Sequence, residues 1–405
     1  MWTKGVDIYS VREIRTKTDI LFGIGALSCM DNILAALAGR NIKNVLVLTG
    51  KTGAKSSRAW QQIRMCLEEK EFTWALYDKI TPNPTAESVD EAVQLGQESG
   101  AEAVIAIGGG SVIDAAKCVS VLLPVRGKKC IDLSDGTFTA EKNVPLIVVN
   151  LTHGSGSENN AFAMIFFKDL KEKRVLYTPL FYPWKVVCDP ALTLTLPKEQ
   201  IRYGAMVMVN HALESSTNSR SNPMSLMLAH EVMHLAVKYL PVAEKDKTDL
   251  EARYFLMYAS LLAGMASDNG SSHFAQLLAN PLAAMKPDLP HGLGLSILMP
   301  AVVKKIYPEH GKSLAAILSP VVPDLEGRAD EAEDAAAGLE TWISCCGIPE
   351  KLREIVFLRE NIDELVNISY NIPSYSLLLS VSPTECSREA IRSIFDDALT
   401  PDRSK

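Results

Sequence analysis

The sequence predicts an α/β domain with a parallel, Rossmann-like sheet over residues 1–190, followed by an all-helical domain over residues 191–405. Three observations carry this. From Asp19 to Cys188 short β-branched runs alternate with longer helical patterns. The runs are apolar throughout, as strands covered on both faces are. After Leu192 the chain turns to Ala, Leu, Met and Glu at helical spacing, and no strand pattern returns. At 405 residues the chain also exceeds the ~100–200 typical of a single domain.

The expected strands are NVLVLTG (44–50), FTWALYD (72–78), AVIAIGGG (103–110), PLIVVNL (145–151) and KVVCDP (185–190). Helices are expected between them at SSRAWQQIRMCLEEK (56–70) and at ESVDEAVQLGQESG (87–100), the latter stopping at Gly100. In the second half, helices are expected within 196–219, 225–240, 248–267 and 329–347. The acidic stretch DLEGRADEAED (324–334) reads as a solvated helix start.

Composition excludes several classes. With 47% hydrophobic and 22% charged residues the chain is too apolar to be disordered. Its net charge of −7 gives no footprint for nucleic acid or an anionic membrane. The eight cysteines form no C-x-x-C pair and read as reduced thiols of a cytoplasmic protein. The first 17 residues lack the apolar core of a signal peptide, and no run approaches the ~18 apolar residues of a membrane span.

The strongest motif is IGGGSVIDAAK (107–117), directly after an expected strand. Gly108, Gly109 and Gly110 let the backbone turn sharply and approach a ligand. The following helix offers its first N–H groups to an anion, so the segment reads as a pyrophosphate cradle. Ser111 adds a hydroxyl, and Asp114 and Lys117 follow on roughly one face. A second turn, LTHGSGSENN (151–160), and the segment TPNPT (81–85) fall at the same strand edge, where open parallel sheets hold their ligands. GKT at 50–52 is not a P-loop, because Val45 stands where that motif needs glycine. HEVMH (230–234) does match the H-E-x-x-H zinc pattern, with Glu251 as a candidate third ligand, but the H-x-x-G-x-x-H extension is absent. A zinc peptidase is therefore the minor alternative.

Taken together the motifs resemble those of the iron-containing (group III) alcohol dehydrogenase family. The matching segments, in order, are ILFGIGAL, VLVLTGKT, TPNPT, IGGGSVIDAAK, THGSGSE, CDPALTLTLP, HALESS, LPHGLGLSILMP and CGIPEKL, spread from Thr18 to Tyr370. The resemblance implies a dehydroquinate synthase-like architecture with the active site in the interdomain cleft. It implies hydride transfer between NAD(P) and a small alcohol or aldehyde, and a homodimer or larger assembly. It places Gly108, Gly109, Gly110 and Ser111 at the pyrophosphate, and Asn83, Leu151 and Thr152 near the ribose and nicotinamide. Many members carry an aspartate after the threonine equivalent to Thr49, and here that position is Gly50. An acidic group there would repel a 2′-phosphate, so NADP is expected ahead of NAD, with Lys51, Lys55 or Arg58 as its partner.

The family's divalent ion, iron or zinc, is held by an aspartate and three histidines. His211 and His291 match two ligands, whereas Val207 and Gln276 stand at the other two positions, and Asn280 replaces a histidine assigned to proton transfer. An amide oxygen is a poor ligand for either ion, so metal binding is expected to be weak or absent, with His273 a possible substitute. His211 and His291, as imidazolium groups, are then expected to polarise the substrate oxygen and supply the proton, with Gln276 and Asn280 orienting it. The maleylacetate reductases imply that the fold can work without metal. A nucleotide-binding member that has lost catalysis is the second reading.

Overall fold

Six strands lie side by side in one parallel sheet in the order β1-β8-β5-β4-β2-β3. The strands are β1 (Asp19–Phe22), β2 (Asn44–Gly50), β3 (Thr73–Ile80), β4 (Ala103–Gly108), β5 (Leu146–Asn150) and β8 (Lys185–Cys188). The remaining two, β6 (Phe162–Phe167) and β7 (Glu172–Tyr177), form an antiparallel hairpin of their own. The structure is a computed structural model that describes residues 17–371 and 375–399. The absence of a leader was read from residues 1–17, nearly all of which lie outside the described range.

The apolar strand runs divide between two cores because successive side chains point to opposite faces. Leu46, Leu48, Val104, Ala106, Leu146, Val148 and Val186 enter one core. Val45, Val47, Ile105, Ile107, Ile147, Val149 and Val187 enter the other. Registers such as Val47↔Ile105 and Ile105↔Ile147 hold these rows in line. Helices α1 (Met30–Ala38), α2 (Gly53–Ser56), α3 (Ala59–Glu69), α4 (Ala86–Ser99), α5 (Gly110–Leu122) and α6 (Cys130–Ser134) connect the strands. The end of α4 is as the sequence requires: Thr85 caps it reciprocally with Ser88, and Gly100 closes it at φ 70°.

Strand order places β3 and β4 on opposite sides of β2, so the chain reverses its direction of winding there. Ligands of open parallel sheets bind at such a point, beyond the carboxyl ends of the strands. Gly50 and Gly108 stand at those two ends.

The chain divides into two compact units. The sheet unit ends at Pro197 and takes in Asp246–Leu261, while the helical unit comprises Lys198–Lys245 and the chain from Leu262 onward. The helical unit contains α7 (Lys198–Ser215) and α8 (Pro223–Lys245). Helix α9 (Leu250–Gly270) is shared between units, and α10 (Phe274–Met285), α11 (His291–Leu318) and α12 (Ala332–Cys345) follow. The last helices are α13 (Ile362–Asn371), α14 (Tyr375–Val381) and α15 (Arg388–Leu399). Among the described residues no strand follows Cys188, and no helix is long and apolar enough to cross a membrane.

Two local readings need correction. The sequence reading passes over β1 and the β6–β7 hairpin. In the acidic stretch, Glu331 is not solvated: it is buried and accepts N–H bonds from Glu326, Gly327 and Arg328 and the Tyr307 hydroxyl. Its neighbours Glu333 and Asp334 are exposed as expected.

Candidate active site

In the sheet unit, β4 runs out at Gly108, Gly109 caps α5, and Gly110 and Ser111 open that helix. The expected sharp turn through glycine-only backbone is not what these residues provide, since none of the three has a positive φ. Their requirement is closeness. A Cβ at Gly108 would lie 2.4 Å from Val112 Cγ2, and one at Gly109 2.6 Å from Thr152 Oγ1. One at Gly110 would lie 2.8 Å from the Ser155 side chain. The cradle is therefore packed against the 151–160 loop, with the helix-opening N–H groups of Gly110 and Ser111 at the anion-binding end of α5.

Asp114 and Lys117 turn inward rather than toward a phosphate. The Lys117 ammonium is fully buried and donates to Ser157 Oγ (2.8 Å), Asn160 Oδ1 (2.9 Å) and the Phe162 carbonyl (2.6 Å). Asp114 accepts from the Ser157 hydroxyl and from Met164 N–H at 3.0 Å. Burial raises its carboxyl, opposed by Lys117 and Ser157. Both residues thus hold the second loop under the first.

The other cofactor candidates gather at the same strand ends. Thr49 is buried, and Gly50 faces the Ile80 carbonyl, 3.3 Å from an added Cβ. Lys51, Lys55 and Arg58 are exposed, but Lys55 is paired with Asp78 at 3.1 Å. Asn83 takes a left-handed backbone (φ 56°), and its Oδ1 accepts from Lys173 at 3.0 Å. Burial pulls that ammonium down to about 8. Leu151 is buried with its N–H on the Gly108 carbonyl (3.1 Å), and Thr152 N–H is held by Asn150 Oδ1 at 3.0 Å. Glu158 beneath this loop is fully buried, which pushes its carboxyl up to about 7 against the pull of Lys117 and Asn150. Sequence reasoning missed Asn150, Ser157, Asn160 and Lys173. The signal for the first three was the density of polar residues in 150–160, and Lys173 had none.

In the helical unit, His211 lies on α7, one turn after Val207. It is buried, its Nδ1 has no partner, and burial lowers its imidazole to about 4. The expected imidazolium is therefore replaced by a neutral ring at pH 7, because nothing nearby offsets the cost of burying a charge. Gln276 and Asn280 sit one turn apart on α10. Gln276 Oε1 accepts from His291 Nε2 at 2.8 Å, and the buried Asn280 Oδ1 has no partner. His291 opens α11, and its neighbour Gly292 lets that helix start against α7: an added Cβ would lie 2.3 Å from the Tyr203 carbonyl.

His273 does not substitute as a ligand. Its Nδ1 accepts from Phe274 N–H (2.8 Å) and its Nε2 meets the Thr217 hydroxyl (2.9 Å), which uses both ring nitrogens. Burial first, and then His310, lowers it to about 3. Among the described residues no group of three or more His, Cys, Asp or Glu is placed to hold an ion. His230 and His234 stack at 4.5 Å on α8, His230 half-buried and His234 exposed, with Glu231 exposed beside them.

Residues 17–190 match the iron-containing alcohol dehydrogenase family and residues 202–399 match its C-terminal domain. A long-chain primary alcohol dehydrogenase, AdhA, of Thermoanaerobacter ethanolicus is 41% identical, covering 98% of this chain and 100% of that protein. The NADH-dependent butanol dehydrogenase B of Clostridium acetobutylicum is 26% identical, with 89% of this chain and 93% of that protein covered. Among solved structures, an NADH-dependent butanol dehydrogenase A of Thermotoga maritima superposes with a TM-score of 0.86 at 25% identity. The match spans 96% of this chain and 99% of that one.

Proposed function

The chain belongs to the iron-containing alcohol dehydrogenase family and is an NAD(P)-dependent oxidoreductase of alcohols and aldehydes; from that premise we propose that it works on primary alcohols without a tightly held metal ion. The observation that carries this is the donor set at the family's ligand positions: Val207 has no donor atom, and the Gln276 carboxamide accepts from His291 Nε2 at 2.8 Å. The primary-alcohol assignment is supported by the relative at 41% identity.

The residues of the cradle fit a dinucleotide. Side chains at Gly108, Gly109 and Gly110 would collide with the protein itself, and α5 presents N–H groups where a pyrophosphate is favoured. Thr49, Gly50, Asn83, Leu151 and Thr152 stand at the same strand ends for the ribose and nicotinamide. Asp114 and Lys117 serve from below, by fixing Ser157 and Asn160. NADP is preferred because Gly50 brings no carboxylate and Lys51 and Arg58 are exposed to meet a 2′-phosphate. A dinucleotide held there would supply the hydride acceptor for an alcohol or the hydride donor for an aldehyde.

A resident iron or zinc does not fit the donor set. Val207 offers no donor atom, His291 Nε2 is already committed to Gln276, and Gln276 is an amide. No step is assigned to a metal. In oxidation, neutral His211 accepts the hydroxyl proton at Nδ1, and in reduction it gives that proton back. His291, fixed by Gln276, and the Asn280 carboxamide orient the substrate oxygen. Eight free thiols and an acidic charge support a cytoplasmic setting, and the family supports a homodimer or larger assembly.

The test is turnover of a series of primary alcohols and aldehydes with NADP(H), before and after dialysis against a chelator. Activity is expected to survive chelation, and His211→Ala is expected to lower kcat by ~10²-fold. Stoichiometric iron or zinc that leaves with activity, and is lost in His211→Ala, would overturn the metal-free reading.

A further inference from the structure

Helix α10 has a cap that comes from a different helix. The first N–H groups of any helix lack intrahelical acceptors and are usually met by the residue just before it. Here His273, in that preceding position, meets one, through its Nδ1 on Phe274 N–H. The others are met by Glu214 of α7. Its Oε2 accepts His273 N–H at 3.0 Å, and its Oε1 accepts Ala275 N–H at 2.5 Å and Gln276 N–H at 3.3 Å. Four successive N–H groups, 273 to 276, are thereby accounted for. Glu214 is buried and steadied by Asn210 Nδ2 at 3.3 Å. A carboxylate also suits the positive end of a helix.

We infer that Glu214 is a positioning residue for the reaction, fixing the first turn of α10, and with it Gln276 and Asn280, relative to His211. This rests on the site proposed above. The geometry supplies the reason. A local cap leaves a helix free to shift against its neighbour, whereas this one ties the backbone of Gln276 to the helix that carries His211, three residues before Glu214. The adjoining contacts fix the same register. An added Cβ at Gly270 would lie 2.2 Å from the Ser215 carbonyl, and Thr217 meets His273 Nε2. The segment 214–217 is thus keyed to 270–276 at both ends, and the carboxamide that holds His291 inherits its position from Glu214.

The experiment compares Glu214→Gln and Glu214→Asp, each alone and combined with Gln276→Ala, in the whole enzyme with NADPH and butanal. Glutamine keeps the shape but turns amide hydrogens toward N–H groups, while aspartate keeps the charge and shortens the reach. Glu214→Gln is expected to lower kcat ten- to hundredfold and to unmask a primary deuterium isotope effect from labelled NADPH. The Kd for NADPH should stay within twofold, because the Gly108–Ser111 cradle belongs to the sheet unit. Glu214→Asp should recover part of the loss, and it carries the comparison if Glu214→Gln does not accumulate as folded enzyme. In the Gln276→Ala background, Glu214→Gln should cost less than threefold. A Glu214→Gln enzyme that melts earlier yet keeps kcat within twofold would overturn the inference, as would a full, independent loss in the Gln276→Ala background. If instead Gln276→Ala and His211→Ala both leave kcat unchanged, the site reading falls and this inference with it.

Discussion

At the scale of single residues, burial decides what the histidines do. His273 has both ring nitrogens used by neutral partners, and burial lowers its imidazole to about 3. Between pH 6.5 and 3 the unfolded chain binds a proton that the folded chain refuses, so stability falls as pH falls through that window. The gap is worth roughly 5 kcal/mol, and the burial of His211, lowered to about 4, acts in the same direction. Buried Glu158 and Glu214, both raised to about 7, act in the opposite direction, so the His273 part is read as a difference: in urea unfolding from pH 7 to pH 4 the wild type is expected to lose more stability than His273→Gln. A decline of equal slope in His273→Gln would remove His273 from the account. The sequence located His211, His273 and His291, but not their charge states, which depend on the neighbours that folding supplies.

At the scale of elements, the junction of β4 with α5 is held by contact rather than by unusual backbone. Gly109→Ala should therefore not strain φ, but should push Thr152 away. We expect a loss of ~1–3 kcal/mol in stability and at least a tenfold rise in the Kd of NADPH, read by thermal unfolding and fluorescence titration. Adding Thr152→Gly should restore part of both, and no restoration would mean that the close approach is not the cause. Five of the six sheet strands were legible because each is a mainly apolar run, and α4 because its helical pattern stops at Gly100. β1 was not, since DILF opens on an exposed aspartate and lies at the edge of the sheet, where none of its residues is fully buried. The hairpin was not, since its role lies in distant contacts: Lys173 on Asn83, and Phe166 N–H on the Pro84 carbonyl at 2.8 Å. Those partners are 90 and 82 residues apart, beyond the reach of any local pattern. Asp114 and Lys117 were found by spacing but given the wrong facing, because spacing along a helix does not say which side meets the ligand.

At the scale of the whole molecule, a bound dinucleotide acts as a stabiliser. At a hundred times its Kd, NADPH is expected to add ~2.7 kcal/mol to the unfolding free energy of the unit that holds it. At equal concentration NADPH should shift the urea midpoint more than NADH does, and the reverse order would overturn the preference drawn from Gly50. Metal analysis of the purified protein needs one precaution, and it comes from α8. The half-buried His230 and the exposed His234 place two rings one helical turn apart, an arrangement that chelates nickel or zinc supplied in excess. The untagged enzyme should therefore be retained on immobilised-nickel resin and carry contaminating ions away from it. A meaningful metal count begins with the His230→Ala, His234→Ala protein.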